Sequence, residues 1–143
     1  MKKFTLLFVS LFSILITSSF AGSFSESKKE AIVDNLIVGI KSENYGIRTS
    51  AAYILGDLVE QQYLDKVDAS EGVSYLMNML RSGSTDEEKI IAALSLYKIG
   101  NLQGIYLLRG IAKFDDSQRV RNISKNLYCN FHKVNHSFYF CNF

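Results

Sequence analysis

No proline occurs anywhere in this 143-residue chain. No residue therefore lacks a backbone N–H or carries a ring that clashes with the preceding turn, and no helix is interrupted on that account. β-Branched residues never alternate with polar ones over a strand-length window, which excludes a half-buried sheet. Cysteine is nearly absent, present only as Cys129 and Cys141. Acidic residues stop at Asp116, while Arg119, Arg121, Lys125 and Lys133 follow it; a solvated basic helix end, favourable near a helix C-terminus, is favoured over a dedicated site for an anion or a membrane headgroup. Also missing are a Gly-rich phosphate loop, a helical His-x-x-x-His with a glutamate, and a serine in a nucleophile elbow. With none of these the chain offers no activated nucleophile, so neither catalysis nor a cofactor is expected.

What is present begins with MKKFTLLFVSLFSILITSSFAG: two lysines, an apolar run from Phe4 to Ile16, and small residues at Ser19 and Ala21. That order is the layout of a secretory leader, with cleavage expected after Ala21. The competing reading is a retained anchor, since about 17 to 25 apolar residues span a bilayer. Serines and threonines dilute the second half of the run and a small-x-small site follows at once, which favours cleavage. The expected organisation is a leader over 1–21, a folded domain over 22–133 and an aromatic tail over 134–143, in a secreted or periplasmic protein that does not stay on the membrane. The leader takes with it two of the sixteen basic residues, so fourteen remain against fourteen acidic ones. A neutral balance points to no polyanion, and no nucleic-acid partner is expected.

Apolar residues recur at helical spacing in segment after segment. Ser27 and Glu30 have the spacing of a capping box ahead of Ile32, Val33, Leu36, Ile37 and Ile40. Asn44 is placed to cap a second helix carrying Ile47, Ala51, Ile54, Leu55 and Leu58. A second hairpin is expected from Asp68, its second helix opened by the box Thr85 to Glu88. Gly100 and Asn101 then stop one helix and start the next, and a third hairpin turns at Asp115 and Asp116. The hairpins are expected over 27–62, 68–100 and 101–131.

Their second helices align. Ile47-Arg48-Thr49-Ser50-Ala51-Ala52 matches Glu88-Lys89-Ile90-Ile91-Ala92-Ala93 and, less closely, Val120-Arg121-Asn122-Ile123-Ser124-Lys125. A basic residue with a small residue three positions later persists in all three copies, at offsets within the range of helical repeats. The stretch IRTSAAYILGDL resembles the second-helix pattern of the HEAT-like repeat family; the later copies depart from it, with Tyr97 where Gly56 stands and Ser124-Lys125 in place of the small pair. The resemblance implies an all-α fold, a short right-handed α-α superhelix (solenoid) of about three HEAT-like hairpins, and a scaffold that binds a protein partner. Ala51, Ala52, Ala92 and Ala93 are read as packing residues that let neighbouring helices approach. Arg48 and Asp57 are read as ties between layers or to loops, with a solvated surface as the alternative. The outward positions of the second helices, Tyr53, Asp57, Leu94, Lys98, Asn122 and Asn126, form the candidate partner surface.

The C-terminal stretch CNFHKVNHSFYFC gathers Cys129, His132, His136 and Cys141, a donor set that suits tetrahedral zinc. The alternatives to a partner-binding scaffold are a metal-binding envelope protein using this cluster and a structural subunit of an envelope assembly. In an oxidising compartment two lone cysteines more often join, here closing a loop of about a dozen residues. A Cys129–Cys141 disulfide is thus favoured over unpaired thiols and over a metal site. The aromatics Phe138, Tyr139, Phe140 and Phe143 are read as a cover for the open end of the last repeat. Carboxylate pairs Glu87-Glu88 and Asp115-Asp116 are read as helix-start residues favoured by the dipole.

Overall fold

A computed structural model of the chain describes residues 25–134; the expectations for the leader and for His136, Cys141 and the tail aromatics lie outside the described residues. Six helices occupy this span: α1 Glu26–Ile40, α2 Tyr45–Glu60, α3 Ser70–Ser82, α4 Asp86–Ile99, α5 Leu102–Phe114 and α6 Gln118–Val134. No strand occurs among the described residues, and the fold is all-α.

Local chemistry sets most of the helix ends. The side chain of Asn44 accepts from the Ile47 N–H at 3.1 Å, and that of Asn101 accepts from the Gln103 and Gly104 N–H groups at 2.9 and 3.2 Å. Each side chain thereby satisfies donors that a helix start leaves unpaired. Gly100 ends α4 with φ 65°, the left-handed conformation that costs glycine nothing. Only half of the second capping box forms. The Thr85 hydroxyl accepts from the Glu88 N–H at 3.2 Å, but the Glu88 carboxylate accepts from the Ser84 N–H, one residue before the cap, and from Arg48 rather than from the Thr85 N–H. The first box does not form at all. α1 starts at Glu26 with Ser25 in the N-cap position and no side-chain cap, leaving Ser27 inside the helix. Nothing in Ser27 prevents the helix from extending past it, so the N–H groups of Lys28 and Lys29 bond to the Ser25 carbonyl. α3 likewise begins at Ser70 rather than Asp68, whose carboxylate takes the Asp65 N–H at 2.8 Å and closes the preceding loop. α6 runs on to Val134, past the expected end at 131.

Consecutive helices pack in pairs, α1 on α2, α3 on α4 and α5 on α6. Second members also pack on one another, α2 on α4 and α4 on α6, while first members do so more sparsely, α1 on α3 and α3 on α5. The core runs through the middle of this arrangement. Leu55, Leu76, Leu96 and Leu108 are fully buried, each contributing about 1.5–3 kcal/mol relative to exposure. Ala52, Ala92 and Ala93 are fully buried and Ala51 nearly so, and Ser124 takes the same buried place in α6. The leucine-glycine step in α2 has a specific cause. A Cβ on Gly56 would stand 2.7 Å from the Ser95 Cα, so α2 and α4 approach too closely there for any side chain. Among the described residues no helix is long and apolar enough to cross a membrane.

Candidate partner-binding surfaces

The charged residues of the repeated motif are structural ties. Arg48, in the first turn of α2, donates from Nη1 to the carbonyls of Ser42 and Glu43 at 2.6 and 3.2 Å, and from Nε to Glu88 of α4. Arg121 repeats the first part of this in α6, with Nη1 on the carbonyls of Asp115 and Asp116 and Nη2 on Gln118 at 2.7 Å. Lys89 reaches forward to the Asp115 carboxylate at 2.9 Å, and the Ser117 hydroxyl reaches back to Asp86 at 2.5 Å. Each copy thus holds its own entry turn or the next pair's. Glu88 and Asp115, expected as dipole-favoured carboxylates, are both buried and both joined to a cation of the neighbouring copy. Burial pushes the Glu88 carboxyl up. The Arg48 guanidinium and the Ser84 N–H and hydroxyl outweigh that and hold it below the usual range.

Three of the six candidate surface residues come together. The Lys98 ammonium lies 2.9 Å from Asp57, 2.7 Å from Glu60 and 4.8 Å above the Tyr53 ring. Its hydrogen bond to Glu60, with a second to Asp57, raises its pKa well above that of a free lysine despite burial. The Lys98 side chain is only 10% exposed, so this group ties α4 to α2 and leaves the half-exposed Tyr53 ring and Glu60 carboxylate for an outside contact. Leu94 is half-buried. Asn122 and Asn126 are exposed on α6, where Asn122 accepts from Gln118 Nε2 at 2.7 Å. Sequence reasoning missed Glu60, although it stands one turn from Asp57 on the same face.

At the C-terminal end, Cys129 and His132 are half-buried on α6, one turn apart. The His132 ring stands edge-on to Tyr128, with centroids 4.4 Å apart, and to Phe131 at 5.6 Å. Their proposed partners His136 and Cys141 lie outside the described residues. Among the described residues no three His, Cys, Asp or Glu side chains are grouped to hold a metal ion.

Sequence reasoning also missed an open groove of about 1020 Å³ on the side of the first helices. Its floor is one stripe of α3, from Ser70 through Val73, Ser74, Met77 and Asn78 to Arg81. The corner between α4 and α5 closes one end, together with Lys66 and with Phe131 and His132 from the end of α6. The stripe has the spacing of a single helix face, a signal present in the sequence but shared with any solvated helix. No protein-family model, curated protein or solved structure matches the chain.

Proposed function

We propose that this chain is a short α-α solenoid of three HEAT-like hairpins, exported from the cytoplasm, that works as a protein-interaction module in the cell envelope and carries out no chemistry. The observation that carries the reading is the pairing pattern: second helices lie on second helices and first on first, as stacking of like units requires. The repeated arginine clasp on the entry turn, made by Arg48 and again by Arg121, supports equivalence of the copies. Half-exposed Tyr53 is the aromatic anchor of the second-helix face, of the type that dominates interface energetics.

The test is photo-crosslinking in the native envelope from position 53, with a control at Lys29, read by mass spectrometry. One discrete protein recovered from position 53 alone is the expected result, and in affinity capture without a cross-linker Tyr53→Ala with Leu94→Ala is expected to weaken retention of that protein with helicity unchanged. Undiminished capture by that double variant removes the second-helix face from consideration. N-terminal sequencing of the mature chain checks export, with Gly22 as the expected first residue.

A further inference from the structure

The groove on the first-helix side has a charge pattern that its surroundings do not consume. Lys66 lies just before α3 and Arg81 in its last turn, both exposed, and neither has a carboxylate partner among the described residues. Among the described residues no acidic one lines the groove. The nearest acids are engaged or turned elsewhere. The Asp65 carboxylate takes the N–H groups of Val67 and Asp68, and Glu71 faces a separate groove with Glu26, Glu30 and Asp34. Between the two cations the floor is apolar or neutral, with buried Val73, half-buried Met77 and Phe131, and Leu102 standing 62% exposed at the closed end.

From this we infer that the groove is a docking site for an acidic, apolar-centred peptide segment of a partner protein, seated along α3 with a carboxylate at each end. The inference rests on the interaction-module reading and adds to it a second surface with a stated ligand chemistry. The geometry sets the ligand's spacing. Ser70 to Arg81 spans about 16 Å of helix at 1.5 Å per residue. An extended peptide advances about 3.3 Å per residue, so about five residue steps cover that floor. A hexapeptide with a carboxylate at each end is sized to it, with Lys66 in the turn before the floor and Arg81 at its far end. A nucleic acid or an anionic membrane would call for a continuous track of cations. Here two stand far apart over an apolar floor, on a chain whose formal charge is only +2.

The probe is the fluorescein-labelled hexapeptide Glu-Ala-Leu-Phe-Ala-Glu, titrated by anisotropy against the purified chain, with Lys-Ala-Leu-Phe-Ala-Lys as its counterpart. Saturable binding of the glutamate peptide, weakened by added salt, is expected. Lys66→Glu with Arg81→Glu should weaken that binding at least about tenfold and transfer preference to the lysine peptide, the signature of charge complementarity rather than of a damaged fold. Equal binding of the two peptides, or binding indifferent to the double reversal, overturns the inference; so does no binding at millimolar peptide. Benzoylphenylalanine at Ser74 on the groove floor identifies the occupant: the glutamate peptide is the expected cross-linked product. A predominant link to residues 135–143 of the same chain, or to a second copy, overturns a partner peptide as the ligand. Loss of envelope capture in the Tyr53 and Leu94 double variant, with the charge reversal having no effect there or on the peptide, would sink the groove and leave the module reading standing.

Discussion

A single methyl group tests how closely the second helices approach. In Gly56→Ala the added Cβ would lie 2.7 Å from the Ser95 Cα, 3.0 Å from its Cβ and 3.2 Å from its carbonyl oxygen. Two of those three neighbours are backbone atoms in the middle of α4, so no side-chain rotation relieves them and the helices themselves must part. Two effects oppose each other. Alanine is better than glycine in a helix interior by about 0.8–1 kcal/mol. Overpacking a tight contact costs about 1–3 kcal/mol, with the upper end applying where backbone must move. The net expectation is a loss of about 1–2 kcal/mol, or about 4–8 °C in Tm for a domain of this size. Gly110 is the internal control: it also lies inside a helix, and a Cβ there meets nothing within 4 Å. Gly110→Ala should therefore gain the propensity alone, about 0.8 kcal/mol. Thermal and urea unfolding followed by circular dichroism at 222 nm reads both variants. Gly56→Ala as stable as wild type, or more so, would show that α2 and α4 are not held at this distance and would refute the role given to the leucine-glycine step.

Other expectations follow from the ties between helices. Glu88 has its carboxyl held below the ordinary 4.5, so its contribution is present above that pH and is lost as pH falls through the lower folded value. Glu88→Gln should cost about 1–2 kcal/mol at neutral pH and make the acid limb below pH 4.5 shallower in a stability-versus-pH series; an unchanged limb counts against the Arg48 pairing. Lys98 is the opposite case: its pKa is raised, so its contribution is complete below 10.5 and declines as pH rises beyond it. Lys98→Met should unfold with less dependence on pH above 10.5 than wild type, as read by alkaline denaturation. Gly100 sits at φ 65°, and Gly100→Ala should lose about 1–2 kcal/mol in a urea melt, against a neutral effect if that turn relaxes. Asn44→Ala removes the bond to the Ile47 N–H and should cost about 1 kcal/mol by the same melt.

Much of this was legible in the sequence because the responsible interactions are local. Asn44, Thr85, Asn101 and Gly100 act within three or four residues of themselves, and the period of the apolar residues places Val33, Ile37 and Ile40, or Leu76 and Leu80, on one buried stripe. Ser27 and Glu30 show the limit of local reading. A capping box competes with simple extension of the helix, and here extension to Ser25 prevails. The alignment of Arg48, Lys89 and Arg121 was legible as a pattern, but their acceptors were not. Glu88 lies 40 residues from Arg48 and Asp115 lies 26 from Lys89, so only the folded chain pairs them. The groove was illegible for the same reason, since its walls come from α3, the corner after α4 and the end of α6.

The two sides of the molecule use charge differently, and this bears on where a partner is held. On the second-helix side Arg48, Lys89 and Lys98 each carry a carboxylate from another helix or turn, so altering one of them loosens the stack as well as any surface it forms. Recognition built there would be coupled to stability. On the first-helix side Lys66 and Arg81 carry no such duty among the described residues, and both are exposed. Their reversal to glutamate should therefore change stability by no more than about 0.5 kcal/mol, whereas Arg48→Ala, which leaves buried Glu88 without its cation, should cost about 2–3 kcal/mol. Urea unfolding of the two variants side by side reads the difference. A large loss in the Lys66 and Arg81 reversal would mean that these cations also hold the stack, and recognition at the groove would then be coupled to stability as it is on the second-helix face.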